Sequence, residues 1–209
     1  MPKRGPMNGY AFGFKVGIAQ VGAGDVDNPT YVQGAATLTP AQQAKYGLLG
    51  TAGCTPLDRR CHTETRRGVN LSFPVQLGGP GLGIRIEPYM TLAAAAQAYG
   101  VYLGPTFEFH VVTQLYLGVG FGLKAAWVKV DPWKYAGDLY GRIPVSITWY
   151  AVDDLALVLE AGFGGGASAY FGEVKDIVNP TTGAKLARKA DVTFGFGRTW
   201  DLSVGVRFP

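Results

Sequence analysis

The sequence predicts an all-β fold: a closed, antiparallel transmembrane β-barrel of about eight strands, apolar outside and charged within. Three observations lead there. Apolar residues recur with period two along nearly the whole chain, the opposite phase holds charges, tyrosines and glycines, and the connections between runs alternate between short and long.

Bulk composition permits this fold and excludes others. The 209 residues show no compositional shift that would mark a boundary, so a single domain, 1–209, is expected. Mean hydropathy is +0.10 and charged residues make up 16% of the chain. No segment approaches the roughly 18 continuous apolar residues that a spanning helix needs. A barrel strand needs only about 9 to 11 residues with every second one apolar, so a membrane barrel looks almost soluble on average. The net charge is +4, with a pI near 9.0, yet no basic helix, zinc-ligand spacing or RNP-like strand accompanies it. Nucleic acid is therefore not an expected partner; a mildly basic surface against anionic lipid head groups accounts for the charge. Met1 to Tyr10 holds Lys3 and Arg4 without the apolar stretch of a secretory leader, so the barrel reading makes this a mature or recombinant form.

Each run then has two faces. In the first, Tyr10, Phe12, Phe14, Val16 and Ile18 alternate with Ala11, Gly13, Lys15, Gly17 and Ala19. The second sets Val69, Leu71, Phe73, Val75 and Leu77 against Asn70, Ser72, Pro74 and Gln76, and the third sets Leu82, Ile84, Ile86, Met90 and Leu92 against Arg85, Glu87, Tyr89 and Thr91. Gly78, Gly79, Pro80 and Gly81 join these two as a tight hairpin. The fourth places Val101, Leu103, Phe107, Phe109 and Val111 opposite Tyr102, Gly104, Thr106, Glu108 and His110. In the fifth, Leu115, Leu117, Val119, Phe121, Leu123 and Trp127 oppose Tyr116, Gly118, Gly120, Gly122 and Lys124. The sixth sets Leu139, Ile143, Val145, Ile147 and Trp149 against Tyr140, Arg142, Ser146, Thr148 and Tyr150. The seventh sets Leu155, Leu157, Leu159, Ala161 and Phe163 against Ala156, Val158, Glu160, Gly162 and Gly164. The eighth closes the chain with Trp200, Leu202, Val204, Val206 and Phe208 against Asp201, Ser203, Gly205 and Arg207.

Alternation alone leaves the sign of the faces open, because a soluble ligand-binding barrel shows the same period with its apolar face turned inward. Charge settles the choice. No apolar-phase position is charged, while the other phase carries Lys15, Arg85, Glu87, Glu108, Lys124, Arg142, Glu160 and Arg207, a lumen charge network. A lipid-facing Lys or Arg near the midplane costs about 2 to 4 kcal/mol, which filters charge from that face. Connection lengths agree: long from Val21 to Arg67, short at Gly78 to Gly81, medium at Ala93 to Gly100, short near Thr113, medium at Asp131 to Gly137, short at Tyr150 to Asp154, and long from Gly165 to Ala190. Short turns on one side and longer external loops on the other put both termini at the periplasmic end. Aromatic girdles are expected at the two interfaces, from Tyr10, Trp149 and Phe208 at the periplasmic ends and Trp127 and Trp200 near the external ends.

These runs, the loop asymmetry and the ending Leu202, Val204, Val206, Phe208 resemble the small eight-stranded outer-membrane proteins of the OmpA, OmpX and OmpW class. The likeness is architectural and covers most of the chain. It implies the bacterial outer membrane, with lipid and lipopolysaccharide as surroundings and a chain end read by the barrel-assembly machinery. Pro209 follows Phe208 and departs from the aromatic terminus usual in that class.

Pro74, Pro88, Pro105 and Pro144 fall inside runs, and proline cannot donate to a ladder that has no free edge; bulges or local breaks are expected there. In the first loop, Thr39 and Gln42 with Pro40 predict a short helix over Pro40 to Leu49. Cys54 and Cys61 share a polar segment at a spacing that suits a local disulfide in an oxidising compartment. Arg59, Arg60, Arg66 and Arg67 around them are either lipopolysaccharide phosphate contacts or a solvated loop. Asp25 and Asp27 lack the further ligands a calcium site requires, so neither metal nor cofactor is expected. The last loop reads as a hairpin turning at Asn179, Pro180, Thr181, Thr182 and Gly183, with Lys185, Arg188 and Lys189 on its return arm facing head groups, a partner, or only solvent.

Inside the barrel, Arg85 and Glu108 are expected to pair, with Glu87, Lys15 and Glu160 nearby, because unpaired buried charge is costly. Gly118, Gly120, Gly122, Gly162 and Gly164 either leave a wet cavity or make room for five inward tyrosines. Neither His62 nor His110 has a Ser/Asp constellation, so no catalytic residue is assigned and the protein is not expected to be an enzyme. The expected role is structural, adhesive or interactive, including that of a subunit among other envelope proteins; the alternative is a narrow porin or carrier for small or apolar molecules.

Overall fold

The computed structural model describes residues 9–21, 24–27, 60–63, 66–78, 81–93, 96–130, 135–152, 154–171, 176–178, 185–188 and 192–208. These form β1 (Gly9–Val21), β2 (Gly24–Asp27), β3 (Arg60–Thr63), β4 (Arg66–Ser72), β5 (Val75–Gly78), β6 (Leu82–Ala93) and β7 (Ala96–Val112). The chain continues through β8 (Leu115–Gly120), β9 (Gly122–Val130), β10 (Tyr135–Val152), β11 (Leu155–Phe171), β12 (Asp176–Val178), β13 (Lys185–Arg188) and β14 (Val192–Phe208).

Every neighbour in the main sheet is antiparallel, and β14 pairs with β1, so the sheet closes on itself. β4 with β5, and β8 with β9, each make one stave, giving a ring of eight. Prolines explain why those two staves lapse. Phe73 donates its N–H to the carbonyl of Pro88 at 2.9 Å, Gly13 to Pro74 at 2.8 Å and Phe121 to Pro105 at 3.3 Å, and none of these prolines has an N–H to return. Register survives each gap: Lys15 faces Ser72 and Phe12 faces Val75, as in one unbroken strand. Pro144 stays in register opposite Gly162. Of the bulges or local breaks expected at prolines, short breaks occur at Phe73–Pro74 and at Phe121 opposite Pro105 without a shift of register, and the register shifts of the ring lie at turns, between His110 and Val112 and between Tyr150 and Val152.

One end of the barrel carries the start of β1, the end of β14 and three tight turns. Gly78 (φ 116°) and Gly81 (φ 102°) occupy the left-handed region in the first, where a β-carbon is disfavoured. Gln114 (φ 70°) takes the same region in the second, and its carbonyl accepts the Tyr150 N–H at 2.8 Å. At the opposite, loop end, strands run further than the alternation suggests. Ala93 pairs with Ala96, so the connection expected to be medium in length holds only two residues. β11 continues to Phe171 and β14 starts at Val192, which shortens the last loop; β12 and β13 pair within it, Asp176 opposite Arg188. β2 adds to β14, with Val26 opposite Gly195, and β3 adds to β2, so the wall extends past the ring at this end.

The two phases separate as a membrane barrel requires. Phe14, Ile18, Ile143, Leu159 and Val204 are outward and exposed, whereas Lys15, Tyr102, Thr148 and Glu160 are enclosed. A dry centre packed with the aliphatic phase, the soluble alternative, is not what these residues form.

Candidate functional site

The enclosed volume is filled by ion pairs. β1 supplies Lys15, β6 supplies Arg85 and Glu87, β9 Lys124, β10 Arg142, β11 Glu160 and β14 Asp201, each from an inward-phase position. Glu160, 1% exposed, sits at the hub. Its Oε1 accepts from Lys15 Nζ at 2.7 Å, Arg142 Nη2 at 2.8 Å and Arg85 Nη2 at 2.9 Å, and its Oε2 from Arg85 Nη1 at 2.5 Å. Glu87 also accepts from Arg85 Nη2 and lies 2.7 Å from Lys15 Nζ. Arg142 grips Asp201 with Nε at 2.8 Å and Nη2 at 2.5 Å, a two-bond fork that also fixes the orientation of both groups. Lys124 Nζ is 3.9 Å from Asp201.

Aromatic faces complete the pairing. Tyr102 lies beneath both guanidinium groups, 5.7 Å from Arg85 and 5.2 Å from Arg142, and Lys124 stands 4.3 Å from the ring centre of Tyr89. Desolvated charge is tolerable only with such partners, because an unpaired ion in low dielectric is strongly unfavourable. Nearer the turn end, Arg207 pairs with Glu108, and Tyr116 and Tyr150 meet edge to face at 5.4 Å.

The expected pair of Arg85 with Glu108 does not form. Register is the reason: Arg85 faces Gly104, four residues along β7 from Glu108, so the two lie at different depths. Asp201 was legible as an inward residue of the last run but not as a network member, since only the β10–β11–β14 register brings it to Arg142. The space beside the glycines is taken by side chains at some positions and by the backbone of neighbouring strands at others. A β-carbon on Gly162 would lie 2.6 Å from Arg142 Nη2, on Gly100 2.6 Å from Tyr89 Oη, and on Gly120 3.1 Å from Pro144 Cγ. Gly118 abuts Ser146, while Gly122 and Gly164 abut backbone carbonyls of neighbouring strands. A small cleft remains toward the turn end, lined among others by Gln76, Glu108, Ser146 and Arg207 and ending against Lys15, Arg85 and Glu160.

The remaining sites fall on the wall or beyond it. Tyr10, Trp149 and Phe208 face outward at the turn end, and Phe208 stacks on Phe12 at 5.3 Å. Trp127 faces outward at the loop end, stacked on Tyr135 at 4.5 Å, which in turn meets Phe171 at 5.1 Å. Arg67 lies 5.8 Å from the Trp200 ring. Arg60 and Cys61 lie in β3 and Arg66 begins β4. Cys54, Arg59, the helix expected over Pro40 to Leu49, the Asn179 to Gly183 turn and Lys189 lie outside the described residues. His110 is exposed at the turn end, 5.1 Å from Tyr116.

No protein-family model matches this sequence, and no curated protein matches it. Solved structures do. Outer membrane protein OprG from Pseudomonas aeruginosa is similar over 98% of this chain and 98% of its own, at 9% identity and a TM-score of 0.53. Neisserial surface protein A is similar over 95% of this chain and 96% of its own, at 10% identity and a TM-score of 0.50. The fold is thus that of the small eight-stranded outer-membrane β-barrels, and its exposed apolar wall and charged lumen are those of an integral membrane protein of that type.

Proposed function

We propose that the protein is a non-conducting barrel of the bacterial outer membrane, with periplasmic termini and a non-enzymatic structural, adhesive or interactive role exerted at its loop end. The four-strand junction at Glu160 carries this reading, because bonds from β1, β6 and β10 converge on β11 across the lumen. The extension of the wall by β2 and β3 supports the loop end as the working surface, alone or as a subunit among other envelope proteins. Phe208 near the chain end is the contact for the barrel-assembly machinery, and Cys54 with Cys61 forms a loop disulfide, read out by alkylation before and after reduction.

Planar-bilayer recording tests the plug. Stable unitary openings from the wild-type barrel refute it; their absence, together with openings in Glu160→Ala, supports it. The second reading is a narrow porin or carrier, favoured by the cleft above the turn end. An altered lipid A mass on expression would overturn the non-enzymatic assignment.

A further inference from the structure

We propose that the outer wall carries, at the loop end, a site for a lipid headgroup bearing a phosphomonoester, formed by Arg67, Arg198, Gln20 and Trp200. This rests on the membrane reading above, but not on the plug. Three adjacent staves build the site. Gln20 on β1 faces Arg67 on β4, and the β1–β14 register that sets Ala19 opposite Asp201 puts Gln20 level with Trp200. Gln20 Nε2 donates to the carbonyl of Arg198 at 2.9 Å, and the Arg67 guanidinium is held 5.8 Å from the Trp200 ring. Both arginines are exposed.

Their pairing state separates them from the lumen. Lys15, Arg85, Lys124, Arg142 and Arg207 each have a carboxylate within ion-pair distance. Among the described residues, Arg67 and Arg198 have none. Position supplies the second argument. Directly below them, Ile18, Val69 and Leu202 are 49%, 48% and 46% exposed and form the edge of the apolar wall. Arg67 follows Val69 on the outward face and Arg198 follows Leu202 with Trp200 between them, so both meet the depth of head groups, and an acyl chain continues down the aliphatic wall beneath. Among described side chains, the three outward cations are Arg67, Lys129 and Arg198, all at the loop end.

Guanidinium forks suit phosphate oxygens, and two of them beside an indole and a carboxamide offer several donors to one dianion. A free phosphate would lack the apolar half of the site, so the lipid is the occupant.

Native mass spectrometry of the folded barrel in detergent tests this. The probes are bisphosphorylated lipid A, its dephosphorylated form, and inorganic phosphate; heat-modifiable gel mobility confirms folding of each variant. The wild type should prefer the phosphorylated lipid by about ten-fold or more, as expected for charge-assisted bonds worth roughly 1.5 to 3 kcal/mol. Arg67→Gln with Arg198→Gln should abolish that preference, and Lys129→Gln should keep it. Arg67→Gln alone carries the test if the double variant does not fold. Equal binding of both lipids, an unaffected double variant, or displacement by inorganic phosphate at equal concentration overturns the proposal. Conductance with the lipid preference intact refutes the plug alone; a silent barrel without the preference refutes this site alone.

Discussion

Replacing Glu160 by Gln removes the hub of the lumen without changing its volume. Each of the contacts at 2.5 to 2.9 Å from Lys15, Arg85 and Arg142 loses its ionic half. A unit pair about 4 Å apart is worth about 4 kcal/mol at an effective dielectric near 20. The three cannot simply be summed, because every cation keeps an acid: Lys15 and Arg85 retain Glu87, and Arg142 retains Asp201. The loss should therefore resemble that of breaking one buried pair, about 3 to 5 kcal/mol. With a urea slope of about 2 kcal/mol per molar, the unfolding midpoint falls by about 2 M. Unfolding in detergent, followed by tryptophan fluorescence and gel mobility, measures it. Adding Lys15→Met to Glu160→Gln should cost less than the sum of the two single changes by about 1 kcal/mol or more. A drop below about 1 kcal/mol for Glu160→Gln would refute the reasoning, since it would mean the lumen screens charge as an open surface does.

Gly162→Ala should destabilise by about 1 to 3 kcal/mol, because the guanidinium it strikes is pinned by Asp201 and Glu160 and cannot yield. Gly118→Ala should stay within about 0.5 kcal/mol: only the Ser146 hydroxyl is close, its Cβ and carbonyl lying 3.7 and 3.8 Å away, and the hydroxyl has other staggered positions. The same urea titration separates the two. Leu159→Arg, on the exposed wall opposite Val204, should cost about 2 to 4 kcal/mol in lipid vesicles. Val152→Arg at the turn should cost about 0 to 1 kcal/mol in the same titration, and equal costs would show that the wall does not meet hydrocarbon.

Period two made the faces legible wherever neighbouring residues contrast. Leu155 to Phe163 could be phased by inspection because Glu160 stands among aliphatic neighbours. Gly165 to Ala169 could not, since Gly, Ala and Ser differ little in polarity, and five residues of β11 there read as loop. The alanines from Ala93 to Ala98 hid the β6–β7 hairpin for the same reason. Pairing is a different kind of information. That Lys15, Arg85 and Glu160 point inward follows from each strand alone, as does the nearness of Glu87 to Arg85 on one strand; which acid meets a cation across the lumen depends on stagger between strands, and so Arg85 finds Glu160 instead of Glu108. The prolines carried half a signal. Each removes a donor, as sequence requires, but a stave flanked on both sides keeps its alignment without that bond.

The order in which the hub's parts are synthesised gives it a further consequence. Lys15 is on the first stave, Arg85 and Glu87 on the third, Arg142 on the sixth, Glu160 on the seventh and Asp201 on the last. Until the seam between β1 and β14 zips shut, some of these ions have no counterpart, and a half-rolled sheet would have to present them to lipid or hold water around them. Neutrality and closure thus arrive together, which penalises every partly curled intermediate and favours insertion as a single event.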